Sequence, residues 1–363
     1  MNFMVRSRLA LLALAAMSCA SVPAVAAPQL AKVPRNIILI IGDGMGAAHF
    51  TAARTLRGND FQTGRLPVVG LVATHSANSL VTESAASATA YATGFKTNNG
   101  MIAVDPAGNP LRTVLEMAEA RGMATGLVTT TAFWDATPAA FAAHALHRRD
   151  TIPIARQMLR SGVDVIASTG AEKLGVDGKP TLESLAAEGA YSLVRTAEEL
   201  KNVRGSAAVL AVFRSSQHDL DSPDIRLPVL AEWAIERLSK DPDGFFLLLE
   251  HEGTDSASHN AATAEVEASL HSLDETVGVA LEFAGRKSDV LVIVTGDHET
   301  GGLQILGQAG QPLQMKFTTG GHTGEAIPIF SKGPGAEGFS GFLDNTDVGK
   351  KLVALVAKMG SKR

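Results

Sequence analysis

Three runs of apolar, β-prone residues end in groups that can bind a cation. Asp43 follows the run at 36–41, Glu250 closes the run at 245–249, and Asp297-His298 follows the run at 290–295. Carboxylate oxygens and imidazole nitrogens together suit zinc, and carboxylates alone suit magnesium. One acid at a strand end fits a turn or capping role just as well, so Asp43 alone decides nothing. Three such ends on one rim would be a different matter. Asp255 and His259 stand at i and i+4, one helical face apart, a spacing that can hold a single ion but that a solvated helix also shows. His322 lies within Gly320-Gly321-His322-Thr323-Gly324, where glycine permits close backbone approach and where a surface turn would look the same.

A nucleophile and an anion-binding cation complete the set. From Ser84 onward the residues Ser84-Ala85-Ala86-Ser87-Ala88 are small and helix-permissive, which puts Ser84 at a helix N-terminus. Free N–H groups and the helix dipole there favour an alkoxide or a phosphate, although a plain capping serine sits in the same place. Asp135-Ala136-Thr137-Pro138 reads as a helix start with Pro at the first helical position. That helix is expected to span 138–147, with Arg148 about three turns beyond Thr137. A guanidinium grips two phosphate oxygens at once, and an Arg closing a helix also complements its dipole.

The elements that must carry these groups alternate. Apolar runs recur at 70–74, 124–129, 164–167, 207–212 and 327–330, besides the three above. Helical periodicity occupies 112–120, 229–239, 262–284 and 346–358. The alternation predicts an α/β three-layer sandwich, a mostly parallel central sheet with helices on both faces. Ligands in such sheets bind at the carboxyl ends of strands, where the groups above stand. Residues 27–363 are read as a single domain, with a loop at 170–179 and a peripheral segment at about 151–243.

The N-terminus carries Arg6 and Arg8, an apolar run over 9–20, and Ala24-Val25-Ala26 before Ala27. This pattern predicts a signal peptide over 1–26, export to the periplasm or medium, and no membrane anchor after cleavage. Cys19, the one cysteine, lies inside it, so the mature chain forms no disulfides. A lipoprotein site at Cys19 would normally carry Leu where Ala16 stands. The formal net charge of -5 excludes a basic nucleic-acid surface, so attraction for an anionic substrate must be local.

Taken in order, Asp43, Ser84, Asp135/Thr137/Arg148, Glu250, Asp255/His259, Asp297-His298 and His322 resemble the alkaline phosphatase family over 33–359. The resemblance implies hydrolysis of small phosphomonoesters through a phosphoserine at Ser84, with Arg148 on the phosphate. It implies one zinc on Asp255, His259 and His322, and a second on Asp43, Asp297, His298 and the Ser84 oxygen. Magnesium would take Asp43, Thr137 and Glu250, with Asp135 reaching it through water. A homodimer is also implied. Two positions depart from the family pattern. Glu83 stands where Asp usually precedes the serine, and Ser256 stands where relatives carry Lys, His or Trp. A phosphodiesterase or sulfatase of the same superfamily is the alternative, disfavoured by Arg148 and by the lack of a mature cysteine. A non-catalytic phosphate- or metal-binding protein fits poorly with Ser84 and Arg148 both present.

Overall fold

The strand Asn36–Gly42 is buried along its whole length, as NIILIIG must be if it is covered on both faces. It is the centre of a computed structural model that describes residues 33–170, 174, 178, 180–205, 207–213 and 225–360. The expected signal peptide at 1–26, with Cys19, lies outside the described residues, as does most of the loop at 170–179. Among the described residues no helix is long and apolar enough to cross a membrane.

In chain order the strands are β1 (Asn36–Gly42), β2 (Val68–Ala73), β3 (Ala124–Thr129), β4 (Val165–Thr169), β5 (Ser192–Val194), β6 (Val209–Phe213) and β7 (Phe245–His251). They continue with β8 (Val290–Gly296), β9 (Glu299–Thr300), β10 (Gln304–Leu306), β11 (Gln314–Lys316), β12 (His322–Thr323), β13 (Ile327–Lys332) and β14 (Gly341–Asp344). The helices are α1 (Ala47–Arg57), α2 (Ser84–Thr93), α3 (Val114–Glu119), α4 (Ala136–Ala142), α5 (Thr151–Met158) and α6 (Leu182–Glu188). After them come α7 (Ala197–Asn202), α8 (Leu227–Leu238), α9 (Gly253–His259), α10 (Thr263–Arg286) and α11 (Asn345–Val356).

Ten strands form one sheet in the order β14-β2-β13-β8-β1-β7-β3-β4-β6-β5. Only β13 runs antiparallel to its neighbours, pairing β8 on one side and β2 on the other. Alternate residues of β1 feed two separate cores. Ile37, Leu39 and Ile41 pack with residues of α2, α3, α4 and α11, while Ile38 and Ile40 pack with residues of α1, α8 and α10. The result is the three-layer α/β sandwich the alternation predicts.

Two expectations differ from what forms. The segment at 151–243 is no periphery: β4, β6 and β5 continue the main sheet to its edge. The helix expected over 138–147 ends at Ala142, because Ala143 turns extended (φ -149, ψ 164). Ala145 then exchanges backbone hydrogen bonds of 2.9 and 3.0 Å with Ile102, and the Arg148 N–H donates to the Gly100 carbonyl at 2.8 Å. Pairing with a distant loop outcompetes the helical propensity of an alanine-rich run. Arg148 therefore sits in a turn, not on a helix. Pro138 also falls two places inside α4, while the Asp135 side chain caps it through the Ala136 N–H at 2.8 Å.

Candidate metal and phosphate site

Register brings the first three acids together. Ile41 of β1 lies opposite Glu250 of β7 and Thr295 of β8, and Gly42 lies opposite His251 and Gly296. Asp43 and Asp297 must then leave the same rim, beside Glu250. On the far side of β7, Thr129 of β3 also lies opposite Glu250, and its hydroxyl donates to that carboxylate. The loop after β3 leads directly to Asp135 and Thr137.

Around His298, which is fully buried, three oxygens converge on Nε2: Ser84 Oγ at 3.3 Å, Asp297 Oδ2 at 3.3 Å and Asp43 Oδ1 at 3.4 Å. Asp297 is aimed by its other oxygen, which accepts from the N–H groups of Gly44 (3.0 Å) and His298 (2.8 Å). Asp43 Oδ1 and Asp297 Oδ2 are buried and accept no hydrogen bond. Two bare carboxylate oxygens beside one imidazole are what a cation site looks like.

A second cluster adjoins the first. Asp255 lies 3.2 Å from His259 Nε2 and 3.4 Å from His322 Nε2, and the two imidazole nitrogens are 3.2 Å apart. The far nitrogens are fixed by backbone, His259 Nδ1 by the Gly320 carbonyl at 2.7 Å and His322 Nδ1 by that of Thr82 at 3.0 Å. Asp255 and His259 do share a face of α9, and His322 is no surface turn, since β12 pairs antiparallel with β9. The His322 ring stacks on that of His298 at 3.8 Å, joining the clusters. Side-chain atoms of Asp43, Asp297 and His298, and of Asp255, His298 and His322, are grouped closely enough for each set to hold a metal ion.

Ser84 is the first residue of α2, and Glu83 is its cap, accepting from the Ala85 and Ala86 N–H groups at 3.1 and 2.8 Å. The extra methylene of Glu83 does not separate it from Arg148, whose Nη1 donates to it at 2.8 Å. The other arm, Nη2, reaches Asp135 at 2.9 Å. With Ser256 uncharged, Arg148 is the cation opposite Asp135.

Electrostatics show the strain of so many acids in one place. Burial, with Asp297 and Asp255 nearby, pushes the Asp43 carboxyl well up. Burial raises Glu250 to about 8 despite the hydrogen bond from the Thr129 hydroxyl. Asp255 is the exception: burial opposes its charge, but His259 and His322 hold it far below the usual carboxylate range. Asp255 in turn raises His259 to about 9. Burial lowers His298. Like charges this close cannot all ionise without added positive charge.

The structure brings Asp43, Ser84, Asp135, Arg148, Glu250, Asp255, His259, Asp297, His298 and His322 to this rim, while Thr137 lies in α4 with its hydroxyl buried and unpartnered. Two others escaped notice. Glu299 is buried and accepts from the N–H groups of Gly302 (3.2 Å) and Leu303 (3.0 Å) and from the Thr323 hydroxyl, clamping β12 beside β9. Glu252 is buried near Asp135 and Asp255, and its one sequence signal is Ser256 four residues on.

The alkaline phosphatase family profile matches residues 34–315. The chain belongs to the alkaline phosphatase family. Membership makes it a phosphatase, and release of phosphate from small phosphate esters comes with the family. The alkaline phosphatase of Escherichia coli (strain K12) is 33% identical, over 87% of this chain and 85% of that protein. Alkaline phosphatase 3 of Bacillus subtilis (strain 168) is 27% identical over 94% of each. The solved alkaline phosphatase of the Antarctic bacterium TAB5 superposes with a TM-score of 0.83 at 28% identity, covering 91% of this chain and 100% of that one. A variant of that enzyme, 29% identical to this chain, has Mg bound in its M3 site.

Proposed function

We propose that this alkaline phosphatase cleaves phosphate monoesters through a phosphoserine at Ser84, using two zinc ions and one magnesium ion. The observation that carries the reading is the convergence of Ser84 Oγ, Asp43 Oδ1 and Asp297 Oδ2 on His298 Nε2, with both carboxylate oxygens otherwise bare. Asp43, Asp297, His298 and the Ser84 oxygen would hold one zinc; Asp255, His259 and His322 would hold the other. Asp43, Thr137 and Glu250 would hold magnesium, with Asp135 acting through water. When bound, these ions supply the positive charge that lowers the pKa of a neighbouring hydroxyl or water and stabilises charge on a transferring phosphoryl group.

The chain's own groups do the rest. Ser84, aimed from the first turn of α2, attacks phosphorus; the Ser84 O–P bond forms as the ester P–O bond breaks and the alcohol leaves. Water then splits the phosphoserine, giving inorganic phosphate and free Ser84. Arg148 has five N–H donors, two of them engaged by Glu83 and Asp135, and its fork can meet two phosphate oxygens. Little in this set reads the alcohol, so broad monoester use is expected. We further read 27–363 as one catalytic domain, supported by the ten-stranded sheet that includes both β1 and β14, and 1–26 as an export signal.

The test is Ser84→Ala. Turnover of an aryl phosphate monoester should fall by several orders of magnitude, while zinc by elemental analysis stays near wild type, because other ligands remain. Acid-quenched wild type should carry phosphate on Ser84 by mass spectrometry. A variant that keeps most of its activity would refute the covalent route, and preference for an aryl diester would overturn the substrate class.

A further inference from the structure

Glu252 and Glu299 are buried carboxylates on this rim with no part in the scheme above, and of the two only Glu252 has an oxygen without a hydrogen-bond partner. Glu252 is 9% exposed, and its Oε2 accepts no hydrogen bond. Its backbone N–H donates to the Thr130 hydroxyl at 3.0 Å, which pins it beside the end of β3, where the loop to Asp135 and Thr137 begins. Its other oxygen accepts from Ser256 Oγ. Glu252 stands two residues beyond Glu250, just past the end of β7, and Asp255, Asp135 and Arg148 all act on its charge. Both observed hydrogen bonds of Arg148 to carboxylates go elsewhere, to Glu83 and Asp135.

Leaving a charged oxygen buried and bare is costly, and a single serine hydroxyl satisfies only one side of the group. A cation resolves the conflict. We infer that Glu252 is an additional carboxylate in the oxygen shell of the third cation, directed inward by Ser256, and that it biases this position toward magnesium over zinc. The inference rests on the proposed assignment of that position. Every donor at this end is oxygen, from Asp43, Asp135, Thr137, Glu250 and Glu252, whereas His259, His298 and His322 serve the other two positions. A shell of carboxylates and hydroxyl suits a hard divalent cation. The small Ser256 is part of the device, since a lysine there, four residues on from Glu252, would claim the carboxylate as an ion pair.

The experiment uses the full-length, zinc-loaded protein and titrates Mg2+ by calorimetry, with zinc and magnesium contents measured in parallel. Glu252→Gln and Ser256→Lys should each weaken Mg2+ binding by at least roughly 10- to 100-fold, since losing even an outer partner of a metal site costs that much. Two zinc ions per chain and the far-UV circular dichroism spectrum should be retained. Competition with excess zinc should displace magnesium more readily from both variants, a readout that a purely structural role would not move. Wild-type affinity and selectivity in the variants would overturn the role of Glu252 and leave the phosphatase scheme standing. If Glu252→Gln does not fold, Ser256→Lys decides alone. A wild type holding two zinc ions but binding no magnesium would overturn the magnesium assignment and this inference with it.

Discussion

Glu83 serves two partners at once, capping α2 beneath the nucleophile and holding Arg148 from the opposite side. Burial alone would raise its pKa, but Arg148 and the N–H groups of Gly100 and Ala86 outweigh burial and hold it below the ordinary value. Glu83→Ala should therefore show two separable effects. Loss of the cap should cost about 1 kcal/mol in urea unfolding, and loss of one Arg148 anchor should raise both KM and the inhibition constant of inorganic phosphate. Arg148→Ala should raise both further, by about tenfold or more, since a charge-assisted pair is worth roughly 1.5–3 kcal/mol. Inhibition by phosphate that is unchanged in Arg148→Ala would remove Arg148 from the phosphate site. Residue types and their order were legible here because metal and phosphate chemistry accepts few side chains. Glu252 was not, since a glutamate after a strand is ordinary until its burial and bare oxygen are seen.

At the scale of elements, α2 is held by a close crossing with α11. A Cβ on Gly349 would lie 2.1 Å from the Ala90 carbonyl oxygen and 2.6 Å from the Gly94 nitrogen. Gly349→Ala should push the helices apart, cost about 1–3 kcal/mol in thermal unfolding, and lower kcat because α2 carries Ser84. Unaltered stability would show that the crossing has slack. The segment leading to Arg148 is tied down differently, by His144, whose Nε2 lies 3.0 Å from Glu116 and whose Nδ1 lies 2.8 Å from the Ala103 carbonyl. Glu116 raises His144 above its ordinary 6.5. Burial pushes Glu116 up, but His144 and the Thr113 N–H bring it net below 4.5. The pair thus stabilises most between those two pH values. Its contribution fades as pH rises through the folded value of His144, and again as pH falls through that of Glu116. His144→Gln should cost about 0.5–1 kcal/mol near pH 6 and less at pH 9 by urea unfolding; an equal cost at both would contradict the ion pair. The run at 138–147 misled for a related reason: its alanines favour a helix, and only the pairing of Ala145 with Ile102 ends it early. Apolar runs such as 36–41 and 290–295 were readable because strands covered on both faces leave no room for polar residues.

For the molecule as a whole, the crowd of acids makes stability depend on metal. Asp43, Glu250 and Glu252 are each driven up by burial and by neighbouring carboxylates. Chelation should lower the unfolding temperature, and restoring zinc and magnesium should recover it, by about 2.7 kcal/mol for each site at a hundred times its Kd. An unfolding temperature indifferent to chelator would argue against ions bound here. The same arrangement has a consequence during synthesis. The acids are complete once Asp297 has been made, but the second imidazole of the Asp255 cluster, His322, comes only after β9 to β11 and joins through the pairing of β12 with β9. A ribosome that stalls, or a protease that cuts, ahead of that point yields a polypeptide with the negative charge in place and the cage open. Firm capture of metal would then distinguish a finished molecule from an interrupted one.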